Sequence, residues 1–105
     1  MIEWTTELIA QIDSSSRAAL SYPGLGGYPV TLLLPFTFDP VEHHFTLPIP
    51  VQAPAISAGG EGRTSLTLLR YDPQVAGERY LLFYGQLTEL GNTWAFIPSR
   101  VVIPH

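Results

Sequence analysis

Few side chains of this 105-residue sequence could do chemistry: there are three histidines and five arginines, with no lysine and no cysteine. Without cysteine, the chain has no disulfide framework, no thiolate nucleophile and no sulfur ligand for a metal. The pair His43 and His44 is the first candidate for a metal site. Neighbouring residues of a strand point to opposite faces, so the two imidazoles would not chelate one ion together. We therefore predict no metal site and a structural or solvent-exposed role for the pair.

The arginines offer a different chemistry, because a guanidinium group can bind a phosphate through two parallel hydrogen bonds. Arg70 and Arg79 flank one loop and have acidic neighbours in the sequence, a pattern that favours exposed ion pairs. Arg63 opens a strand after a glycine-rich segment, and Arg100 lies in the last strand. These two are the better candidates for an anion site, with a salt-bridge role as the alternative.

Other catalytic patterns are missing from the sequence. No Gly-x-Ser-x-Gly nucleophile motif is present. Asp39 and Asp72 each precede a proline, which is typical of turns rather than of paired catalytic carboxylates. The glycine-rich residues 23–27 are followed by a strand pattern and not by a helix, so they predict a hairpin turn instead of a phosphate-binding loop.

The composition describes one small domain with few charges. Charged residues make up 13% of the chain, about half of the usual ~25%, and hydrophobic residues 46%. We therefore expect a partner to bury part of the surface, most simply a second copy of the chain, with a neutral monomer as the alternative. The net charge of -4 and the scattered arginines argue against nucleic-acid binding. Without a membrane-span-length apolar run or a signal-peptide pattern, we expect no membrane association and a cytoplasmic location.

Hydrophobic periodicity predicts the elements that must position these residues. Residues 1–16 predict a helix with one apolar stripe. Trp4 belongs to this stripe and is expected to cover the core as a lid. Runs rich in β-branched and aromatic residues predict six strands, at 17–22, 28–38, 43–49, 63–71, 79–90 and 93–103. Residues 51–61 lose this pattern and predict an irregular crossover with at most one helical turn. A single domain over residues 1–105, a small closed barrel of mostly antiparallel strands, follows from this order.

The order of elements and several stretches resemble the pyridoxamine 5'-phosphate oxidase-like family of FMN-binding split β-barrels. The resembling stretches are 28–31 after the glycine turn, 63–69 after the crossover, 79–90 in the next strand, and 94–102 with its Pro-x-Arg. Gly85 and Leu90 are in register with the Gly-x-Ala-x-x-Leu form of the family, while Leu87 replaces its small residue. The resemblance implies a mainly β fold: a six-stranded antiparallel split β-barrel with an N-terminal helix and a short crossover.

The resemblance also implies a function. Members of the family are homodimers that bind FMN in two clefts at the interface, and many are oxidoreductases acting on a small molecule. Some members use the deazaflavin F420 instead, which is the second choice of cofactor for this chain. The flavin carries the redox chemistry, and the protein positions it. The residues implied for the cleft are Leu33, Pro35, Thr37, Ser57 and Arg63, with Trp94 and Arg100 reaching across the interface. Trp94 alternates with Phe96, so the two rings form either core or a flat wall against a planar ligand or the other subunit.

One feature departs from the family pattern. Basic and hydroxyl residues on the second and third strands and the crossover usually hold the flavin phosphate, but this chain has no lysine or arginine between Arg17 and Arg63. Threonine and serine hydroxyls and the amides after Pro54 would have to supply part of the binding. The alternative function is therefore a split-barrel homologue without cofactor that acts as a binding or structural dimer. An unrelated small barrel with an adaptor role is the third possibility.

Overall fold

The structure is a computed structural model that describes residues 2–72 and 77–103. These residues form one helix and a single antiparallel sheet of seven strands. The elements in chain order are α1 (Thr6–Asp13), β1 (Arg17–Pro23), a 3-10 turn (Leu25–Gly27), β2 (Pro29–Leu34), β3 (Thr37–Asp39), β4 (His44–Pro48), β5 (Thr64–Asp72), β6 (Gly77–Leu90) and β7 (Thr93–Val102). Among the described residues, no helix has the length and apolarity to cross a membrane.

Helix α1 is shorter than predicted and begins at a capping residue. The hydroxyl oxygen of Thr5 accepts a hydrogen bond from the backbone N–H of Leu8 at 3.0 Å, which satisfies one free donor of the first turn. Leu8 and Ile12 lie one turn apart and are buried on the sheet. Trp4 precedes the helix and stacks at 6.3 Å on the ring of the core residue Phe83. The predicted lid role of Trp4 is confirmed, since it packs against the core from the outside.

The sheet is curled so that its two edges approach each other. The strand order is β2-β1-β5-β6-β7-β4-β3, and every pairing is antiparallel. The edge strands β2 and β3 are consecutive in the chain, with only Pro35 and Phe36 between them. Three steps of about 3.8 Å join the end of β2 to the start of β3, so the edges are at most about 11 Å apart at this corner. The result is a half-barrel.

The number of strands differs from the prediction. Residues 28–38 were expected to form one strand, but the structure divides this run into β2 and β3 at Pro35. Proline has no backbone N–H and cannot continue a hydrogen-bonded ladder, so the chain leaves one edge and joins the other. The mainly β, barrel-like fold with one helix is confirmed. The count of six strands is wrong, and the sheet forms a half-barrel with two edges instead of the predicted closed barrel.

The core lies on the concave face of the curled sheet. One cross-strand row runs from Leu32 through Leu20, Leu66 and Phe83 to Val101. The three central members of this row are fully buried. Each such side chain contributes roughly 1.5–3 kcal/mol when it is removed from water. A register slip by one residue would turn the row to solvent, so burial specifies the pairing.

At Gly85, strand β6 approaches β7 more closely than a side chain would allow. The register shifts here, because Tyr84 pairs with Arg100 while Gly85 pairs with Pro98. Ser99 is therefore the extra residue of a β-bulge. A Cβ atom added to Gly85 would lie 2.8 Å from the Cα atom of Pro98. The glycine is thus required by the close approach of two backbones.

The crossover between β4 and β5, residues 49–63, is irregular and is tied to the end of β1. The hydroxyl of Tyr22 donates to the carbonyl oxygen of Pro54 at 2.5 Å. The backbone N–H of Ser57 donates to the carbonyl oxygen of Pro23 at 2.9 Å. Burial raises the pKa of the Tyr22 hydroxyl, which therefore remains a neutral donor well above neutral pH. Tertiary hydrogen bonds, and not helix formation, hold this segment.

Candidate functional site

A row of polar side chains crosses the outer face of five strands. The pairing register places Thr31, Ser21, Ser65, Tyr84 and Arg100 side by side on β2, β1, β5, β6 and β7. Side chains alternate along each strand, so these residues lie on the face opposite the core. The hydroxyl oxygens of Ser21 and Thr31 share a hydrogen bond of 3.1 Å. We call these five residues the polar row.

Three members of the polar row line a surface cavity of about 430 Å³, which we call the arginine pocket. Its lining residues are Ser21, Tyr22, Pro23, Gly27, Pro29, Gly62, Arg63, Thr64, Ser65 and Tyr84. The volume is in the range of about 300–1,000 Å³ that is typical of small-molecule sites. Arg63 is exposed, so its charge is available to a ligand that enters from solvent.

The turn before β5 fixes the position of Arg63. The backbone N–H of Arg63 donates to the carbonyl oxygen of Gly60 at 3.0 Å. The hydroxyl of the next residue, Thr64, is buried and donates to the carbonyl oxygen of Glu61 at 2.8 Å. A Cβ atom at Gly60 would lie 2.7 Å from the ring of Pro23, so the turn packs directly on the end of β1. Both sides of Arg63 are therefore anchored.

Tyr84 and Arg100 form a stacked pair beside the pocket. The guanidinium carbon of Arg100 lies 4.4 Å from the centre of the Tyr84 ring, within the range of a cation–π interaction. The Tyr84 side chain keeps 38% of its surface exposed. The ring thus offers a flat surface at the pocket, and the interaction holds the charge of Arg100 next to the ring.

The chemistry of the arginine pocket is that of an anion site with a planar wall. Arg63 supplies a charged donor and Ser65 a hydroxyl donor, and Ser21 supplies a second hydroxyl donor when Thr31 donates in the bond that the two share. None of the described lining residues carries a carboxylate that would compete with an anionic ligand. The hydroxyl of Tyr22 is engaged with the crossover, so this lining residue does not offer a free acid or base.

The structure distributes the predicted cleft residues over several places. Arg63 lines the arginine pocket, and Arg100 lies next to it in the polar row. Leu33 is 52% exposed on the outer face of β2. Pro35 and Thr37 line a separate apolar depression of about 260 Å³ at the corner where β2 passes into β3.

Two predicted cleft residues are less accessible. Ser57 is half-buried in the crossover, where its backbone N–H bonds to Pro23. Trp94 is only 3% exposed and packs edge-on against Tyr22, with ring centres 5.6 Å apart. Phe96 is also fully buried. Both rings of β7 therefore lie in the core.

The histidine pair is divided between a turn and a strand. His43 lies in the turn before β4, with φ of 60°, and stacks on Trp4 with ring centres 4.2 Å apart. His44 begins β4. The same turn is closed by Asp39, whose carboxylate accepts from the N–H groups of Val41 and Glu42 at 2.8 and 3.1 Å. These two bonds hold the pKa of Asp39 below its ordinary value, and the bond from Glu42 has the larger effect.

Some predictions fall outside the described parts of the structure. The side chains of Arg70 and Arg79, for which exposed ion pairs are predicted, lie there, and so does His105. Residues 73–76, where a loop is predicted, lie outside as well. Within the described residues, no group of three or more histidine and acidic side chains is arranged to hold a metal ion.

The sequence matches no protein-family model, and a search of curated proteins finds no significant match. The resemblance to FMN-binding split barrels therefore stays a prediction. What the protein binds has to be inferred from its own residues, and in the arginine pocket one predicted anion-binding residue, Arg63, lines a cavity.

Proposed function

We propose that the protein binds FMN, with its phosphate in the arginine pocket. The observation that carries this proposal is that Arg63, two serine hydroxyls and the exposed Tyr84 ring line one cavity. A phosphate that leaves water needs charge-assisted donors, which Arg63 and the hydroxyls of Ser21 and Ser65 supply. A flavin ring needs a flat surface for stacking, which Tyr84 offers. F420 carries the same two features and is the second choice.

The residues present fit a flavin phosphate better here than at the positions that the family resemblance implies. Residues 30–34 and 48–57 contain no lysine or arginine. A phosphate there would depend on hydroxyl groups and backbone amides alone, without a charge to offset its lost hydration. At the arginine pocket, Arg63 supplies that charge. We therefore assign the phosphate to this end of β5.

In this proposal the protein binds and orients, and the flavin supplies hydride chemistry when it is bound. Arg63 holds the anionic end. Tyr84, backed by Arg100 at 4.4 Å, limits the tilt of a planar ring placed against it. The proposed oxidoreductase activity on a small molecule additionally requires that the bound flavin be reduced and reoxidised in turnover.

We also propose that the protein is a homodimer that uses the outer face of the sheet. Next to the polar row, the register aligns Leu33, Ala19, Thr67, Leu82 and Val102, which we call the apolar row. Its ends, Leu33 and Val102, are 52% and 41% exposed. This apolar face on a chain with few charges supports burial by a second copy.

The apolar row also favours a second candidate function, a split-barrel homologue without cofactor that acts as a binding or structural dimer. Arg63 is the single cation among the described lining residues of the arginine pocket. A dimer of this kind would need the apolar row and not the charge of Arg63. The two functions therefore differ in what the loss of Arg63 does.

The flavin proposal is tested by titrating the purified protein with FMN while flavin fluorescence is followed. We expect saturable quenching, and we expect Arg63→Gln to raise the Kd about 10- to 100-fold through loss of charge-assisted bonds. Arg17→Gln is the matched control, because Arg17 is exposed at the opposite end of β1. Riboflavin, which lacks the phosphate, should bind both variants equally. Unchanged fluorescence of wild type at high micromolar FMN would overturn flavin binding.

The dimer is tested separately by sedimentation. We expect wild type to sediment as a dimer and Leu33→Glu, which places a charge in the apolar row, to sediment as a monomer. Val41→Glu, at an exposed site in the turn before β4, is the control and should remain dimeric. A monomeric wild type at high concentration would remove both the dimer and the second candidate function.

A further inference from the structure

A second and larger cavity, of about 650 Å³, lies between the crossover and the end of β6. We define this crossover cavity by Ile49 and residues 53–56 on one side and residues 86–89 on the other, together with Glu61 and Trp94. Its volume is also in the range of small-molecule sites. Nothing in the proposed flavin binding uses it.

Hydrogen bonds hold both sides of the crossover cavity in place. The backbone N–H of Leu87 donates to the carbonyl oxygen of Glu61 at 3.0 Å, and that of Ile49 donates to Asn92 at 3.3 Å. Together with the bond from Tyr22 to Pro54, these contacts attach the beginning, middle and end of the crossover to the rest of the fold. The cavity is therefore formed before any ligand enters.

The lining combines an apolar floor with two carboxylates. Leu87 and Trp94 are almost completely buried beneath the cavity, and Ile56 packs against the core beside them. Glu61 and Glu89 are exposed and line the same cavity. No arginine is among the described lining residues. The described lining therefore carries two negative charges and no positive charge.

We propose that the crossover cavity binds a small organic cation, an amine with an apolar body. The apolar body gains by leaving water for the floor of Leu87 and Trp94. The ammonium group remains near Glu61 and Glu89, where opposite charge favours it and an anion of the same shape is repelled. This site is independent of the arginine pocket, which has the opposite charge preference.

Three probes with one apolar body test the charge preference: 4-phenylbutylamine, 4-phenyl-1-butanol and 4-phenylbutanoate. The readout is the pair of indole N–H signals in a proton–nitrogen correlation spectrum, assigned with Trp4→Phe. Trp94 lines the cavity, whereas Trp4 stacks on His43 elsewhere. We expect the amine to shift the Trp94 signal saturably, the alcohol to bind more weakly, and the carboxylate to bind least. Equal binding of amine and carboxylate, or no saturable shift by the amine, would overturn the proposal.

Variants locate the site. The double change Glu61→Gln and Glu89→Gln should raise the Kd of the amine about three- to tenfold and leave that of the alcohol unchanged. The control double change Glu3→Gln and Glu42→Gln removes the same charge from other exposed positions and should have no effect. Filling the cavity with Ala55→Trp should abolish binding of both probes. Amine binding at wild-type strength in the first double variant would contradict the assignment.

Discussion

The two cavities flank the same short turn and differ in the sign of their charge. Glu61 lines the crossover cavity and Arg63, only two residues later, lines the arginine pocket. On β6, Tyr84 and Gln86 are likewise two residues apart and line the arginine pocket and the crossover cavity, respectively. The charge of each cavity therefore depends on the side of this turn on which a side chain lies. It does not depend on whether a strand or the crossover carries that side chain.

The walls of the two cavities also differ in how they are held. Most of the arginine pocket lies on the paired strands β1, β5 and β6, where the ladder hydrogen bonds support one another, while Gly62 and Arg63 belong to the end of the crossover. The crossover cavity is closed on one side by an irregular segment that depends on a few separate bonds, such as that from Tyr22 to Pro54. Loss of a single bond should therefore disturb the second cavity more than the first.

The largest expected effect comes from a change that damages both cavities at once. Gly85 lies between Tyr84 and Gln86, and a Cβ atom there would collide with the backbone of Ile97 and Pro98. We expect Gly85→Ala to lower the free energy of unfolding by about 2–3 kcal/mol, because the β6–β7 ladder must move apart. Denaturant unfolding measures this change.

Gly62→Ala is the matched control for this prediction. A Cβ atom at Gly62 would have no atom within 4 Å, so the stability should change by less than about 0.5 kcal/mol. Equal stabilities of the two variants would mean that the sheet yields at the bulge and that the two cavities do not share this support.

Removal of the Tyr22 hydroxyl should affect ligand binding in the two cavities to different degrees. Tyr22→Phe keeps the ring but loses the hydrogen bond to Pro54, at a cost of about 0.5–1.5 kcal/mol of stability. We expect faster amide hydrogen exchange at Ser57 and weaker amine binding in the crossover cavity. The loss of FMN binding should be smaller, although Tyr22 also lines the arginine pocket, because the variant keeps the ring. Equal losses in both cavities would contradict the difference in rigidity.

Ionisation of the Tyr22 hydroxyl makes the free energy of unfolding depend on pH. Because burial raises the folded-state pKa of Tyr22 above its ordinary value of 10.0, the unfolded chain ionises first as pH rises. The contribution to stability is complete below pH 10.0 and is lost as the pH rises through the folded-state pKa. Denaturant unfolding above this pH should show a steeper decline for wild type than for Tyr22→Phe. Parallel curves would argue against a buried, neutral hydroxyl at this position.

The smallest expected effect belongs to the arginine pocket alone. Tyr84→Leu removes the aromatic surface and the cation–π contact with Arg100, each worth about 0.5–1 kcal/mol at an exposed site. We expect the Kd for FMN to rise about three- to fivefold and amine binding to stay the same. Tyr84→Phe, which retains the ring, should bind FMN as wild type does. A loss in Tyr84→Phe equal to that in Tyr84→Leu would exclude stacking as the role of the ring.

Much of the local structure could be predicted because turns and strands have local causes. The hairpin turn predicted for residues 23–27 does follow β1, with Gly26 and Gly27 at positive φ. The division at Pro35 was missed. Apolar residues continue on both sides of this proline, and the sequence does not show whether a proline produces a bulge or a change of sheet edge.

The candidate site was predicted only in part. Arg63 and Arg100 could be singled out because isolated cations in a chain with few charges are conspicuous. Ser21, Ser65 and Tyr84 were not, because small polar and aromatic residues are ordinary on the outer face of a sheet. Only the register, in which Ser21 pairs with Ser65 and Ser65 with Tyr84, brings them together. The pairing of Ser21 with Ser65 joins β1 to β5, two strands that are far apart in the chain, so the sequence around either residue does not show that they are neighbours.

By itself, the sequence determined that this protein is mainly β and where most of its strands and turns lie. It also determined that only a few cations are available to bind an anion. Alternation, prolines and glycines act on their immediate neighbours, so their consequences can be derived locally. Only the tertiary structure decided that Glu61 and Arg63 serve different cavities. That outcome depends on how the crossover packs between the end of β1 and β6, through hydrogen bonds and close contacts between residues that are distant in the chain.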